Sequence, residues 1–121
     1  MRESGEMYLE TILVLMNQKG SVRSIDVAEE MNLSRPSVSR GMSKLRESGC
    51  IRMAPDGMIT LTEKGRAIAE KIYERHQVLS RLFISLGVNE EDALRDACRI
   101  EHVISDATFD AIKAHFRPDG N

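Results

Sequence analysis

Within one short stretch, Cys98-Arg99-Ile100-Glu101-His102, a thiol, a carboxylate and an imidazole fall at i, i+3 and i+4. On a helix that spacing puts all three on one face. Soft sulfur beside carboxylate and imidazole is a donor set for a transition metal, with a fourth ligand to come from elsewhere. Met7 and Glu10, three apart on an early helical segment, and His76, beside the apolar stripe of a long helix, are the candidates. Each residue also has an ordinary reading. Cys98 suits a small core position, Met7 a core filler, His76 a hydrogen-bonded buried histidine, and Glu101 with His102 a solvated pair. Catalysis is not expected. A cysteine and a histidine four apart on a helix do not supply nucleophile, base and oxyanion site together, and no glycine-rich phosphate loop is present.

A second constellation lies earlier. Two helical segments meet at a turn of about three residues, and two short strands follow around Asp56-Gly57, the pattern of a winged helix-turn-helix. Its second helix carries apolar Val38, Met42 and Leu45 on one side and Ser37, Arg40 and Lys44 on the other, with Ser34, Arg35, Pro36 and Ser39 around its N-terminus. Helix N-termini favour phosphate, small serines permit close backbone approach, and a proline can touch a thymine methyl. With Arg52 on the wing, these residues are the expected contacts to double-stranded DNA. A winged helix used only as a protein-interaction module is the alternative, and the basic exposed face argues against it.

The elements that must position these groups follow from periodicity and punctuation. A first helix spans Glu6 to Asn17 and ends at Lys19-Gly20. Ser24 is the expected cap of a short second helix with Ile25, Ala28 and Met31 on one side, and Asn32 suits a left-handed stop. Ser34 caps the third helix, and Gly49 ends it. Strands over 51–54 and 58–61 form the wing, where Cys50 reads as a strand-core residue. Thr62 caps a long fourth helix to about Leu86, striped by Ile68, Ile72, Leu79, Leu82 and Phe83. Asn89 and Asp92 form a capping box for a helix through about His102, and Ser105 opens a last one with Phe109, Ile112 and Phe116. His115 is left without a role, and Arg117 to Asn121 reads as a loose tail. The fold class is mainly α: an N-terminal winged helix-turn-helix over 1–65, then a helical dimerisation and metal-binding domain over 66–121.

Composition bounds the rest. In 121 residues there is room for one domain or two small lobes. Two cysteines make no disulfide framework, and no apolar run approaches the length of a membrane span, so a cytoplasmic protein with no membrane partner is expected. No tryptophan and 4% aromatics argue against a stacking platform for single strands. The net charge of −2 conceals a segregation. From Lys19 to Met53 seven basic residues face four acidic ones, a net of +3, whereas Asn89 to Asp110 carries −5.

Taken together, the sequence resembles the diphtheria toxin repressor family of metal-dependent transcriptional regulators over nearly its whole length. The resemblance rests on Glu6-Met7-Tyr8-Leu9-Glu10, Val27-Ala28-Glu29, Pro36-Ser37-Val38-Ser39 and Leu61-Thr62-Glu63-Lys64-Gly65. Its most specific part is the run from Asp96 through Cys98, Glu101 and His102 to Asp106. It implies a homodimeric repressor of metal homeostasis that binds operator DNA when loaded with a divalent transition metal and takes no organic substrate. In iron-responsive members the activating site resembles Met7, Cys98, Glu101 and His102, helped by a backbone carbonyl or water. In manganese-responsive members carboxylates stand at positions 7 and 98, and Glu10 and His76 help hold a pair of metals; His76 occurs in both types, serving a second, ancillary site in the iron type. This chain is mixed: it has the iron-type sulfurs and the manganese-type Glu10. Ser80 and Leu94 stand where the iron-type ancillary site has ligands, so that version looks broken. No third, SH3-like domain is read, nor the C-terminal helix usual in short members, which leaves two readings open, a smaller dimer interface or a trimmed chain.

The resemblance implies a switch. A metal shared by the first helix and the second domain would set the separation of two recognition helices, which must match half-sites about one DNA turn (~34 Å) apart. Thiolate and thioether ligands favour Fe²⁺ over Mn²⁺, with Co²⁺, Ni²⁺ and Zn²⁺ as in vitro substitutes. The alternatives are a Mn²⁺-responsive member of the family and a metal-independent winged-helix regulator that senses a small organic ligand.

Overall fold

Local signals at chain turns set most element boundaries in the computed structural model, which describes residues 3–116. Helices α1 (Glu3–Lys19), α2 (Ser24–Met31) and α3 (Arg35–Glu47) precede strands β1 (Ile51–Met53) and β2 (Ile59–Leu61). Helices α4 (Glu63–Ser85), α5 (Glu90–Ile100) and α6 (Asp106–His115) follow. The chain is mainly helical with one small two-stranded sheet, as its periodicity predicts. It divides into two units, one reaching to Glu70 and the other starting at Lys71.

In the first unit α1, α2 and α3 pack on one another around Leu9, Ile12, Val27, Val38 and Met42, all buried. Each such side chain contributes about 1.5–3 kcal/mol when fully removed from water. Ser34 caps α3, its Oγ accepting from Ser37 N at 3.3 Å, with Pro36 in the first turn where no amide hydrogen is needed. Asn32, with φ 54°, makes the left-handed turn between α2 and α3. The start of α2 differs from expectation. Ser24 is already helical, Arg23 is the N-cap, and the Asp26 carboxylate accepts from Arg23 N at 2.8 Å. Val27 and Ala28 are the buried pair, and Ile25 is 37% exposed, because the helix is rotated from the side its sparse apolar residues suggest.

The wing pairs antiparallel, Ile51 with Leu61 and Met53 with Ile59, and Val22 adds a bridge to Ile59. Thr62 joins wing to α4: its Oγ1 accepts from Gly65 N and donates to Gly49 O at 2.6 Å. A side chain at Gly65 would run into the Cys50 carbonyl, so glycine is what lets α4 begin against the base of the wing. Cys50 is fully buried, as a strand-core residue should be. Gly41 plays the same part inside the bundle, where the ring of Tyr8 lies against its Cα.

In the second unit α4, α5 and α6 bury Ile72, Val78, Leu79, Ala93, Ala97 and Phe109. Asn89 caps α5 and Ser105 caps α6, accepting from Asp92 N at 2.9 Å and Thr108 N at 3.1 Å. Helix α5 stops earlier than expected. It ends at Ile100, Glu101 is its C-cap, and residues 101–103 form the turn to α6. The cause lies in a buried cation on α4, Arg75, which takes up carbonyls of that turn. The expected loose tail falls on residues 117–121, outside the described residues. No helix among the described residues is long and apolar enough to cross a membrane.

Candidate metal centre and nucleic-acid interface

Outward-facing polar residues of α3 make up the first candidate surface. Burial of Val38, Met42 and Leu45 turns Arg40 and Lys44 to solvent. Ser34, Arg35, Pro36 and Ser39 are exposed at the helix start, and Arg52 is exposed on β1. Ser37 is half-buried, because its hydroxyl accepts from Ser34 Oγ at 2.9 Å and from Arg40 Nη2 at 3.3 Å. These bonds hold Arg40 along the helix toward its N-terminal end.

Ion pairing thins the local positive charge and sharpens where it lies. Lys19 meets Asp26 at 2.8 Å, and Arg23 reaches Asp56 at the wing tip. The hydrogen bond to Lys19, seconded by the Arg23 amide, holds the Asp26 carboxyl below the usual carboxylate range. The same bond raises Lys19 above its ordinary value. With those two cations tied to carboxylates, Arg35, Arg40, Lys44, Arg46 and Arg52 carry the remaining charge, all exposed on α3 and the wing. Arg46, Arg52 and Lys64 line an open groove of about 810 Å³ beside the wing. Sequence reasoning counted Arg46 as basic without assigning it to the surface; its place in the last turn of α3, just before the wing, was the available signal. Lys64 donates to the Ser48 carbonyl at 2.8 Å.

The second unit gathers a different chemistry. Glu101 is a fully buried carboxylate. His76 Nδ1 on α4 lies 3.2 Å from its Oε2, and His102 Nε2 lies 3.6 Å from its Oε1. Both contacts are within ion-pair reach, yet neither carboxylate oxygen accepts a well-aligned hydrogen bond from a described residue. Burying a carboxylate costs several kcal/mol unless its charge and lone pairs are met. A carboxylate with an imidazole nitrogen at each oxygen therefore has the donor chemistry a divalent cation would satisfy. The residues fit such an ion.

Cys98 stands one turn before Glu101 on α5, half-buried and in no disulfide. The turn continues helically through Glu101, whose N donates to Ala97 O at 3.0 Å, so the i, i+3 relation of Cys98 and Glu101 survives the early end of α5. His102 lies in the turn rather than on the helix, with its imidazole buried. In the first unit Met7 and Glu10 sit one turn apart on α1, both half-buried, and the Met7 carbonyl accepts from Thr11 Oγ1 at 2.8 Å. Ser80 is buried with its hydroxyl unsatisfied among the described residues, and Leu94 is 38% exposed.

The residue that sequence reasoning missed is Arg75. It is 5% exposed, and its guanidinium donates to the carbonyls of Glu101 and Ile104 and pairs with Asp106. Lys71 first, then Arg75, holds the Asp106 carboxyl below its ordinary range. No motif announces Arg75: an arginine in a charged helix reads as solvated until its partners, 26 to 31 residues later, are brought to it.

Residues 1–59 match the family described as iron dependent repressor, N-terminal DNA binding domain. Residues 62–117 match iron dependent repressor, metal binding and dimerisation domain. The transcriptional regulator MntR of Escherichia coli is 34% identical over 119 residues, spanning 98% of this chain and 77% of that protein. The iron-dependent repressor IdeR of Mycobacterium tuberculosis is 36% identical over 105 residues, 86% of this chain and 46% of that one. Among solved structures, the manganese regulator SloR shares the fold with a TM-score of 0.82 at 24% identity, over 92% of this chain and 52% of its own.

Proposed function

The chain belongs to the diphtheria toxin repressor family of metal-dependent transcriptional repressors, and from that premise we propose that it is a repressor of metal homeostasis that binds operator DNA as a homodimer when loaded with Fe²⁺. The buried Glu101 carboxylate, flanked by two imidazoles, carries the reading. In this proposal Cys98, Glu101, His102 and His76 are ligands from the second domain, after about residue 65. Met7 and Glu10 are ligands from α1. The ion supplies the positive charge that Glu101 lacks. The thiolate of Cys98 and thioether of Met7 favour Fe²⁺ over the oxygen-preferring Mn²⁺. In the reader domain Ser34, Ser37 and Ser39 approach the backbone, Pro36 meets base edges, and Arg35, Arg40, Lys44 and Arg52 neutralise phosphates.

Because the ligands come from both domains, occupancy and DNA affinity are coupled, and by linkage DNA tightens metal as much as metal tightens DNA. Relatives carry the names of transcriptional regulators, and the proposal assigns no reaction to this chain.

One observation favours a second reading, a Mn²⁺-responsive pair of ions. His76 shares the carboxylate of Glu101 with His102 instead of standing apart at a separate centre. Anaerobic titration of the full chain with Fe²⁺ and with Mn²⁺, read by calorimetry, separates the two. One tight Fe²⁺ per chain supports the first reading, and two Mn²⁺ per chain the second. DNA binding is tested with a duplex enriched from a random library by the Fe²⁺-loaded chain; equal affinity with chelator and with metal contradicts both and favours a metal-independent regulator.

A further inference from the structure

Neighbouring residues on α4 hold the two ends of Glu101. His76 faces its carboxylate at 3.2 Å, and Arg75, one residue earlier, donates Nη1 to its main-chain carbonyl at 3.1 Å. The same Nη1 donates to Ile104 O at 2.8 Å, so both ends of the α5–α6 turn are gripped by one nitrogen. Nη2 pairs with the Asp106 carboxylate in the first turn of α6. The guanidinium carbon stands 5.4 Å from the centre of the Phe109 ring, within cation–π range. At 5% exposure, this is a buried cation that spends Nη1 on the turn carrying Glu101 and His102 and Nη2 on Asp106, while Nε has no hydrogen-bond partner among the described residues.

The end of a helix leaves carbonyls without intrahelical partners. Here the Ile100 carbonyl is taken by the amides of Val103 and Ile104, and those of Glu101 and Ile104 are taken by Arg75. The backbone of the turn is thereby fixed from α4 at the residues whose side chains would bind the ion. A planar, five-donor guanidinium can hold two carbonyls and a carboxylate at once. A lysine ammonium, a compact point charge, cannot reproduce that fork.

We propose that Arg75 is a positioning residue of the metal centre: without being a ligand, it presets the Glu101–His102 turn so that carboxylate and imidazole meet the ion already oriented. This rests on the reading of Glu101 and His102 as ligands. Groups that orient ligands typically change metal affinity about 10–100-fold when removed.

The test uses the full chain and Co²⁺ as a spectroscopic probe, comparing wild type with Arg75→Lys, Arg75→Met, Glu101→Gln and Val78→Ala. Val78 is a buried residue of the same helix and controls for lost stability alone. Absorption in the ligand-field region reports coordination, competition titration gives affinity, and thermal melting of the metal-free chain gives stability. The expected result is that Arg75→Lys weakens Co²⁺ by about 10-fold or more and alters the ligand-field spectrum, while Val78→Ala lowers the melting temperature with affinity within about threefold of wild type. Arg75→Met should be weaker still; should it fail to fold, Arg75→Lys carries the comparison. The proposal is overturned if Arg75→Lys binds Co²⁺ with unchanged affinity and spectrum, or if Val78→Ala loses as much affinity at equal loss of stability. Glu101→Gln separates the two levels: its losing Co²⁺ while Arg75→Lys does not removes only Arg75's role, and its binding as well as wild type removes the centre itself.

Discussion

The two units of the chain use charge in opposite ways. In the first unit the charged groups that matter face solvent on α3 and the wing, and the supporting hydrogen bonds run over a few residues, as from Ser34 to Ser37 to Arg40. In the second unit the important charges are buried. Glu101 is fully enclosed and Arg75 nearly so, and, His102 apart, their partners lie 25 or more residues away in sequence. An exposed cation keeps most of its hydration until it pairs with a phosphate and releases the counterions condensed on DNA. A buried carboxylate has already lost its hydration, so it gains most from a cation that fits.

That difference ranks the expected effects of substitution. The largest belongs to Glu101→Gln. It should remove metal-dependent DNA binding in a duplex titration, yet leave the metal-free chain as stable as wild type or more so in urea denaturation, since a buried charge is gone. Wild type should gain about 2.7 kcal/mol of stability at metal concentrations near 100 times its dissociation constant, and the variant none. A Glu101→Gln chain that still responds fully to metal would erase the contrast between the units.

Next come the glycines of the first unit. Gly65→Ala and Gly41→Ala each place a methyl where another group stands, and should cost about 1–3 kcal/mol in urea denaturation. Gly65→Ala should be the worse, because its obstacle is the Cys50 backbone, whereas the Tyr8 ring at Gly41 can shift. The reverse order would mean that Tyr8 is held more rigidly than the base of the wing.

Substitutions on the exposed face act more evenly. Lys44→Ala should weaken binding to all duplexes alike and lower the salt slope by about one. If Lys44→Ala instead discriminates between sequences, the side chain reads bases.

The smallest effect is electrostatic. Asp26 is held below the usual carboxylate range by Lys19, so the pair contributes stability above the ordinary carboxylate value and loses it as pH falls through the lowered one. The raised Lys19 contributes below its ordinary value and loses that contribution as pH rises through the higher one. Asp26→Asn should therefore lower stability slightly at neutral pH, with the deficit closing in acid and at strongly alkaline pH when denaturation curves are compared. A deficit that persists in acid would point to the Arg23 cap hydrogen bond as the cause.

Legibility in the sequence follows the same divide. The caps at Ser34, Thr62, Asn89 and Ser105, the left-handed Asn32 and the buried stripe of α3 were all readable, because each is a local rule acting over three or four residues. The start of α2 was misread because Asp26, not Ser24, supplies the capping acceptor, to the Arg23 amide, and its buried side because sparse apolar residues do not by themselves define one. The end of α5 was misread because a long-range donor, Arg75, decides it. Cys98, Glu101 and His102 were visible as donors by spacing. That Glu101 is buried between two imidazoles was not, since His76 lies 25 residues upstream and only the fold brings it there.

The most direct test of the central claim is the affinity of the full chain for a library-selected duplex, measured anaerobically by fluorescence anisotropy with Fe²⁺ and with a chelator. The coupling should tighten binding by about tenfold or more, within the 1–3 kcal/mol common for linked sites. Equal affinity under both conditions would contradict it.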